Sequence, residues 1–351
     1  MESRGKRTRA KMTLTEDYKV KKPKLPTPKK PIKAPNKHQG VRNKHQAAHN
    51  KQQESCNITS VEQQTQNMSW GYEKDNANQE TADSSLLEVI SFTLSLKELG
   101  PDTWPKTFAA ARGPRQSPVN IETSWVTYDD SLVNHPLKIN YSPEPSLLLE
   151  NPGLSFKAHI TADSTITGGP LLNDQYKLVQ FHFHWGHDDK SGSEHTVNGK
   201  KYPCELHLVH YNASKYKSPA DAVTQCDGLA VIGVFIKVGA EEHAGFKVLS
   251  DNAHKVKCKG LKCETGASFN PASLLPDNTS RYWTYEGSLT TPPCNESVTW
   301  IVLQQEITVS AEQMRALRNL CCDECGSKQI PDNYRPPLPL GARGVKSSFA
   351  Y

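Results

Sequence analysis

One run, Lys177-Leu178-Val179-Gln180-Phe181-His182-Phe183-His184-Trp185, limits what this chain can fold into more than any other. It is built of aromatic and β-branched residues, alternates along its length and contains neither Gly nor Pro, so it predicts a β-strand. Side chains two apart on a strand share a face. Gln180, His182 and His184 therefore point one way, and Leu178, Phe181 and Phe183 cannot all join them. A second run, Cys204-Glu205-Leu206-His207-Leu208-Val209-His210, places Glu205, His207 and Val209 on one face and Leu206, Leu208 and His210 on the other. The segment between, Gly186 to Pro203, is rich in Gly, Ser, Asp, Asn and Lys. It reads as a hairpin-like connection with a short ribbon of its own, which predicts antiparallel pairing of the two strands. That pairing sets His207 beside His182 and His184. Three neutral imidazoles converging with one position left open is the arrangement of a catalytic rather than a structural Zn²⁺ site. Gln180 and Glu205 each precede a histidine by two residues on the same face, where each can accept a second ring N–H and fix its tautomer. A lone strand histidine is ordinarily a satisfied core residue. H-x-H plus E-x-H, with a polar neighbour on each strand, is not explained that way.

Charge divides the chain of 351 residues into two unlike parts. Residues 1–51 hold 16 Lys/Arg and 3 Asp/Glu, a net +13, so the remainder carries 5 − 13 = −8. Residues 1–67 are dominated by Lys, Pro, Gln, Asn and His. They have too few large apolar side chains to offset the entropy of ordering, and are expected to be a disordered basic Lys/Pro-rich arm. Lys19 to Lys33 interleaves Lys with Pro, a pattern suited to contacting a polyanion or serving nuclear import, or simply to a solvated tail. Met1 to Asn50 offers no apolar run suited to a signal peptide, and no stretch approaches a membrane span. The 9 cysteines show no framework of spacings. Cys322-x-x-Cys325 reads as ordinary thiols, because no further ligand stands near it in sequence. Residues 68–351 form the folded part, expected as a single domain.

From Gln116 to Val309 the pattern is mostly β. Short runs recur at Leu137–Tyr141, Ser146–Glu150, Leu154–Ile160, Lys177–Trp185, Cys204–Tyr211, Leu229–Val238 and Ser297–Val309. Helices are expected at Ser218–Val223, at Glu242–Leu249 and at Ala311–Leu320, the last behind a Ser310 cap. The two histidine strands carry bulky residues on both faces and so belong in the middle of a large twisted sheet.

The chain resembles the α-class carbonic anhydrases, most closely their cytosolic animal forms. The resemblance is carried by Gln180-Phe181-His182-Phe183-His184-Trp185-Gly186, Gly192-Ser193-Glu194-His195-Thr196-Val197, Glu205 to His210, and Tyr282-Trp283-Thr284-Tyr285. Gly287-Ser288-Leu289-Thr290-Thr291-Pro292-Pro293, Arg115-Gln116-Ser117-Pro118-Val119-Asn120-Ile121 and Asn333-Tyr334-Arg335-Pro336 also carry it. It covers roughly Trp104 to Phe349, with a weaker start near Trp70. The stretch Glu80 to Leu99 exceeds the family pattern, and is either an inserted helix or retained intron sequence. The implied fold is mostly β with short helices (α+β), on a mostly antiparallel sheet of about ten strands. The zinc would lie at the bottom of a cone.

The resemblance implies reversible hydration of CO₂ to bicarbonate and a proton, by a hydroxide held on Zn²⁺ by His182, His184 and His207. It implies that Thr290 accepts the proton of that hydroxide and donates its own to Glu194, which orients the nucleophile. Val209, Val231, Leu289, Thr291 and Trp300 would surround CO₂, and Asn333 would join Gln180 and Glu205 behind the ligands. His195 and His210 read as structural and His187 as exposed. Active relatives carry a histidine proton shuttle where this chain has Leu154, so proton transfer is expected to limit turnover. Tyr72 is a candidate for supporting a water chain. Lys157 adds a charge at the rim, and Glu286 replaces a proline. In secreted relatives a cysteine after Thr-Thr-Pro-Pro pairs with one near the Gln-Ser-Pro segment. Here Cys294 is present but the matching position is Ala111, which implies a reduced thiol and a cytoplasmic chain, with the basic arm as a route to the nucleus. A monomer is expected, with a role in pH homeostasis. The competing function class is an acatalytic carbonic-anhydrase-like binding module. Such proteins lose at least one zinc histidine, and this chain keeps all three.

Overall fold

The computed structural model describes residues 100–351. The basic arm, Trp70, Tyr72 and the stretch 80–99 lie outside the described residues. Early in the chain come β1 (Asn120–Ile121), β2 (Thr127–Tyr128), β3 (Lys138–Asn140), β4 (Leu148–Glu150), β5 (Phe156–His159) and β6 (Thr165–Thr167). The central strands are β7 (Tyr176–Trp185), β8 (Thr196–Val197), β9 (Cys204–Asn212) and β10 (Leu229–Gly239). They are followed by β11 (Lys262–Glu264), β12 (Tyr282–Gly287), β13 (Val298–Leu303), β14 (Ile307–Ser310) and β15 (Lys346–Ser347).

Thirteen of these strands form one twisted sheet. Its main path runs β11-β4-β5-β7-β9-β10-β13-β12-β15-β2, and β3, β6 and β14 join from the side. The sheet is mixed: most pairings are antiparallel, but β10 runs parallel to both β13 and β14, and β15 parallel to β2. The single run expected at Ser297–Val309 is thus two strands, β13 and β14, laid one after the other along the same edge of β10. The expected central position of the histidine strands is observed, with β7 and β9 adjacent in the middle of the path.

These two strands pair antiparallel, with His182 opposite His207 and His184 opposite Glu205. The alternation of β7 is interrupted once. A register shift between Leu178 and Gln180 leaves Val179 as an extra residue, the signature of a β-bulge. The bulge explains why Leu178, at an even position, lies in the same apolar core as Phe181 and Phe183, at odd ones. Without it, either Leu178 or the whole set Gln180, His182 and His184 would face the wrong side. The expected ribbon within the connection also differs. β8 pairs in parallel with the distant β1, and only a single bridge, Val197 to Lys200, closes locally.

Both faces of the sheet are covered. On one side Phe156, Ala158, Phe181, Phe183, Leu206 and Leu208 pack with Phe246 and Leu249 of the helix Ala244–Ala253. Met314 and Leu317 of the helix Ala311–Arg318 complete that side, and this helix opens with Ser310 and Gln313 in a capping box. Each such fully buried Leu or Phe contributes roughly 1.5–3 kcal/mol. That apolar side holds rigid the strands whose other side carries the histidines.

Candidate metal centre

Beside the cross-strand pair of His182 and His207, His184 completes a triangle. Ring centroids are 5.0 Å apart for His182–His184, 5.3 Å for His182–His207 and 4.7 Å for His184–His207. One nitrogen of each ring lies within 4.8 Å of the corresponding nitrogen of the other two. The remaining nitrogens are all committed. His182 Nδ1 donates to Gln180 Oε1 at 2.9 Å, His184 Nδ1 to the Asn333 carbonyl at 2.7 Å, and His207 Nε2 to Glu205 Oε1 at 2.8 Å. These bonds fix the tautomers, so Nε2 of His182, Nε2 of His184 and Nδ1 of His207 present lone pairs to a common point. Nε2 of His184 is buried with no hydrogen-bond partner. An orphaned, buried imidazole lone pair beside two others fits a soft-to-borderline divalent cation such as Zn²⁺.

Electrostatics agree. Burial pushes His182 well below the usual imidazole range, and the neighbouring His184, His207 and Lys157 push the same way. Burial and His207 lower His184 to about 3. Burial also lowers His207, although Glu205 opposes it. All three rings are therefore neutral donors at physiological pH, the form a metal requires.

The carboxylates behind them have distinct tasks. Glu205 Oε1 accepts from both His195 Nδ1 (2.7 Å) and His207 Nε2, while Oε2 accepts the Glu194 and His195 N–H groups, each at 2.8 Å. Burial alone would raise its carboxyl, but the interactions with His195 and His207 outweigh burial and hold it below the usual range. His195, Glu205 and His207 are close enough to suggest a second ion site. Their facing atoms are already consumed by one another's hydrogen bonds, so the cluster is a support for His207. Nε2 of His195 continues this support to the Tyr285 hydroxyl at 2.7 Å.

Glu194 is buried and stands 3.4 Å from His184 Nδ1 and 3.8 Å from His207 Nδ1 through its two oxygens. Oε1 accepts the Arg335 N–H at 2.7 Å. Burial and the charge of Glu205 raise its carboxyl well above the usual range, outweighing the Arg335 N–H and the Thr290 hydroxyl, and its Oε2 is buried without a hydrogen-bond partner. Thr290 is buried too. It lies in the loop after β12, whose backbone is tied to the segment around Ser117. Ser117 N–H donates to Ser288 Oγ at 2.9 Å and Ser288 N–H to Ser117 Oγ at 3.0 Å. Any side chain at Gly287 would meet Ser117 Oγ at 2.1 Å, which explains the glycine there.

The apolar residues form one row across three strands. Val209 is opposite Val231, and Val231 opposite Trp300. Leu289 packs against the same cluster, and the Trp300 ring centroid is 4.8 Å from that of His207. Thr291 is half-buried beside Thr290. Asn333 is fully buried. Its Oδ1 accepts the Trp185 N–H at 2.6 Å and its Nδ2 donates to the Leu154 carbonyl at 2.9 Å, so one residue ties the ligand strand to the wall that holds Leu154. Leu154 itself packs on a small cluster of Trp104, Ala111 and Cys294. Cys294, a buried free thiol, therefore shares a cluster with a methyl group at the position matched to a partner cysteine. His210 lies on the opposite face, bonded to the Tyr141 hydroxyl at 2.8 Å and the Ala230 carbonyl at 3.1 Å, and His187 is 75% exposed.

Sequence reasoning assigned no role to Arg335. Its buried guanidinium donates to Gln116 Oε1 and to the Ser117 carbonyl, both at 2.9 Å, while its N–H holds Glu194. It thus locks the loop buttress to the carboxylate behind Thr290. The signal was present in the two quoted motifs containing Gln116 and Arg335, which meet only in three dimensions.

The family model described as eukaryotic-type carbonic anhydrase matches residues 99–349. The chain belongs to that family. It is 46% identical to carbonic anhydrase 1 of Mus musculus over 259 residues, covering 72% of this chain and 96% of the relative. Carbonic anhydrase 7 of Homo sapiens is 46% identical over 255 residues, 71% of this chain and 94% of the relative. Carbonic anhydrase 7 of Mus musculus is 47% identical over the same shares. The family's enzymes are zinc-dependent lyases acting on CO₂, and the three-histidine centre is where this carbonic anhydrase would hold its zinc. Among the described residues no helix is long and apolar enough to cross a membrane.

Proposed function

We propose that this carbonic anhydrase is catalytically competent and hydrates CO₂ at the centre built on His182, His184 and His207. The observation that carries the reading is the convergence of three neutral imidazoles, one with a buried unpartnered nitrogen, beside the apolar row Val209–Val231–Trp300. Zn²⁺ bound there supplies an activated water, whose pKa falls to about 7 in the three-histidine sites of this family. The protein's part is geometry. Gln180, Glu205 and the Asn333 carbonyl fix the ligand rings. Glu194, with Oε1 held by the Arg335 N–H, would as a carboxylate accept the Thr290 hydroxyl, which leaves Thr290 to accept from the nucleophile and aim its lone pair. Val209, Val231, Leu289 and Trp300, with Thr291 at the edge, form a surface suited to an uncharged, apolar substrate. Leu154 offers no proton acceptor on the wall, so proton transfer limits turnover.

The alternative of an acatalytic module is opposed by the complete set of three histidines with Thr290 and Glu194. For the arm, the charge of +13 in residues 1–51 supports contact with a polyanion. A cytoplasmic monomer, with the arm offering a route to the nucleus, is the reading of location. The decisive experiment measures CO₂ hydration by purified protein while zinc is stripped and restored. Hydration should rise in proportion to zinc up to one ion per chain. One bound zinc with no hydration would favour the binding module. Salt-dependent retention of the full chain, but not of a chain lacking residues 1–67, on an immobilised polyanion would support the arm's role. Equal retention of both would reject it.

A further inference from the structure

Each hydration, CO₂ + H₂O → HCO₃⁻ + H⁺, leaves one proton to be cleared. The inference rests on the hydration reading above and names the group that receives that proton. On β5, Phe156 and Ala158 lie in the apolar core. Lys157 and His159 therefore occupy the metal side of the sheet, directly opposite His182 and Gln180 in register. Directly opposed side chains have Cβ atoms about 5 Å apart. Gln180 is the residue that holds the His182 ring. His182, Gln180 and His159 thus form a continuous polar row leading from the ligands outward. The His159 side chain is 33% exposed, so it meets solvent. Its Nε2 is 2.5 Å from Glu150 Oε2 on β4.

We propose that His159, held by Glu150, is a proton-transfer residue of this chain and does part of the work that the position of Leu154 leaves undone, more slowly than a histidine at 154 would. With Nε2–H donated to Glu150, Nδ1 is the free acceptor. A proton arriving over water forms the Nδ1–H bond and gives an imidazolium balanced by the Glu150 carboxylate. A buffer base then removes that proton and restores the ring. Only N–H bonds form and break, and no electrons are exchanged. The charges facing the ring come from three strands. Glu150 favours the imidazolium. Lys262 of β11, 3.2 Å from Glu150 Oε1, and Lys157 of β5 oppose it, while β7 presents neutral Gln180 and the His182 ring. Burial would raise the Glu150 carboxyl, but hydrogen bonds from His159 and Lys262 outweigh it and keep Glu150 ionised. A bland reading also exists: a partly exposed ion pair worth about 0–1 kcal/mol to stability. It predicts no effect on turnover.

The test compares zinc-loaded full-length protein with His159→Gln in dilute, bulky buffer. The expected result is a kcat lower by about tenfold in the variant, short of the full range for acid–base groups because a direct water route remains. kcat/KM should be unchanged and small imidazole buffers should restore kcat. Independently of activity, the ring nitrogen signals lost in His159→Gln should show, in the parent's neutral ring, the proton on Nε2 and a free Nδ1, as the bond to Glu150 requires. Glu150→Ala should remove that preference for Nε2. Equal kcat for parent and variant in dilute buffer would overturn the proposal. So would a joint fall of kcat and kcat/KM without rescue, or a ring that carries its proton on Nδ1. If the zinc-loaded parent hydrates no CO₂ at all, the failure lies in the hydration reading itself.

Discussion

The three-histidine centre on β7 and β9 and the wall formed by β4 and β5 share one face of the same sheet, yet they are held in different ways. In the centre every ring nitrogen is either hydrogen-bonded or aimed at a common point, and Glu205 accepts four N–H groups while fully buried. On the wall, Leu154 packs on Trp104 and Cys294, and Lys157 and His159 are half-exposed. A buried network so densely hydrogen-bonded tolerates little change, because loss of a partner leaves a further unpaired polar group. A half-exposed wall tolerates much. On the proposed function, metal binding and CO₂ attack depend on the first region, and clearance of the proton on the second. The two should separate in measurement as kcat/KM against kcat.

The largest effect tests the first region. His182→Ala, His184→Ala and His207→Ala should each abolish stoichiometric zinc binding and hydration together, read by metal analysis and stopped-flow assay. Retention of one zinc by any of them would break the assignment of ligands. A second-largest effect is expected from Thr290→Ala and Glu194→Gln. Both should keep zinc but lose roughly a hundredfold in kcat/KM, since the nucleophile loses its orientation. Variants that hydrate at the parental rate would remove the orienting role from both residues.

A third effect concerns stability. Burial lowers His210 to about 3. The folded state thus keeps this ring neutral where the unfolded chain, titrating near 6.5, binds a proton. Its stabilising effect is complete above pH 6.5 and is lost progressively as pH falls toward 3. Between pH 7.5 and 5 the loss should be about 2 kcal/mol. Urea midpoints at the two pH values should differ by at least that much, and His210→Gln should reduce the difference by about that amount while the buried ligand histidines keep the rest. A parent whose stability is flat from pH 7.5 to 5 would contradict it. The smallest effect belongs to the wall. Leu154→His should raise kcat several-fold in dilute buffer with kcat/KM unchanged, and should make kcat less sensitive to loss of His159. No change would mean that position 154 does not face the proton path.

Much of the centre was legible in the chain, because its geometry is local to strands. A period of two puts Gln180, His182 and His184 on one side, and the same period puts Glu205, His207 and Val209 on one side. What alternation could not give was the bulge at Val179, which is a property of pairing with β9 and leaves no mark in the residue types. The parallel placement of β13 and β14 along β10 was equally hidden, since a run that continues from Ser297 to Val309 does not announce its break at Gln304–Glu306. The pairing of β8 with β1 and the grip of Arg335 on Gln116 and Ser117 join segments far apart in the chain. Such contacts are decided by the fold rather than by any window of sequence. His159 was passed over for the same reason: only the register of β5 on β7 sets it beside Gln180.

The separation of the two regions is tested most directly by measuring kcat and kcat/KM for CO₂ hydration by the zinc-loaded full-length protein across a series of imidazole concentrations. The centre being complete and the wall altered, kcat should be low in dilute buffer and rise strongly with imidazole, while kcat/KM stays constant. A kcat that is already high and independent of buffer would contradict the account, because it would mean that the proton leaves as easily as the substrate is attacked.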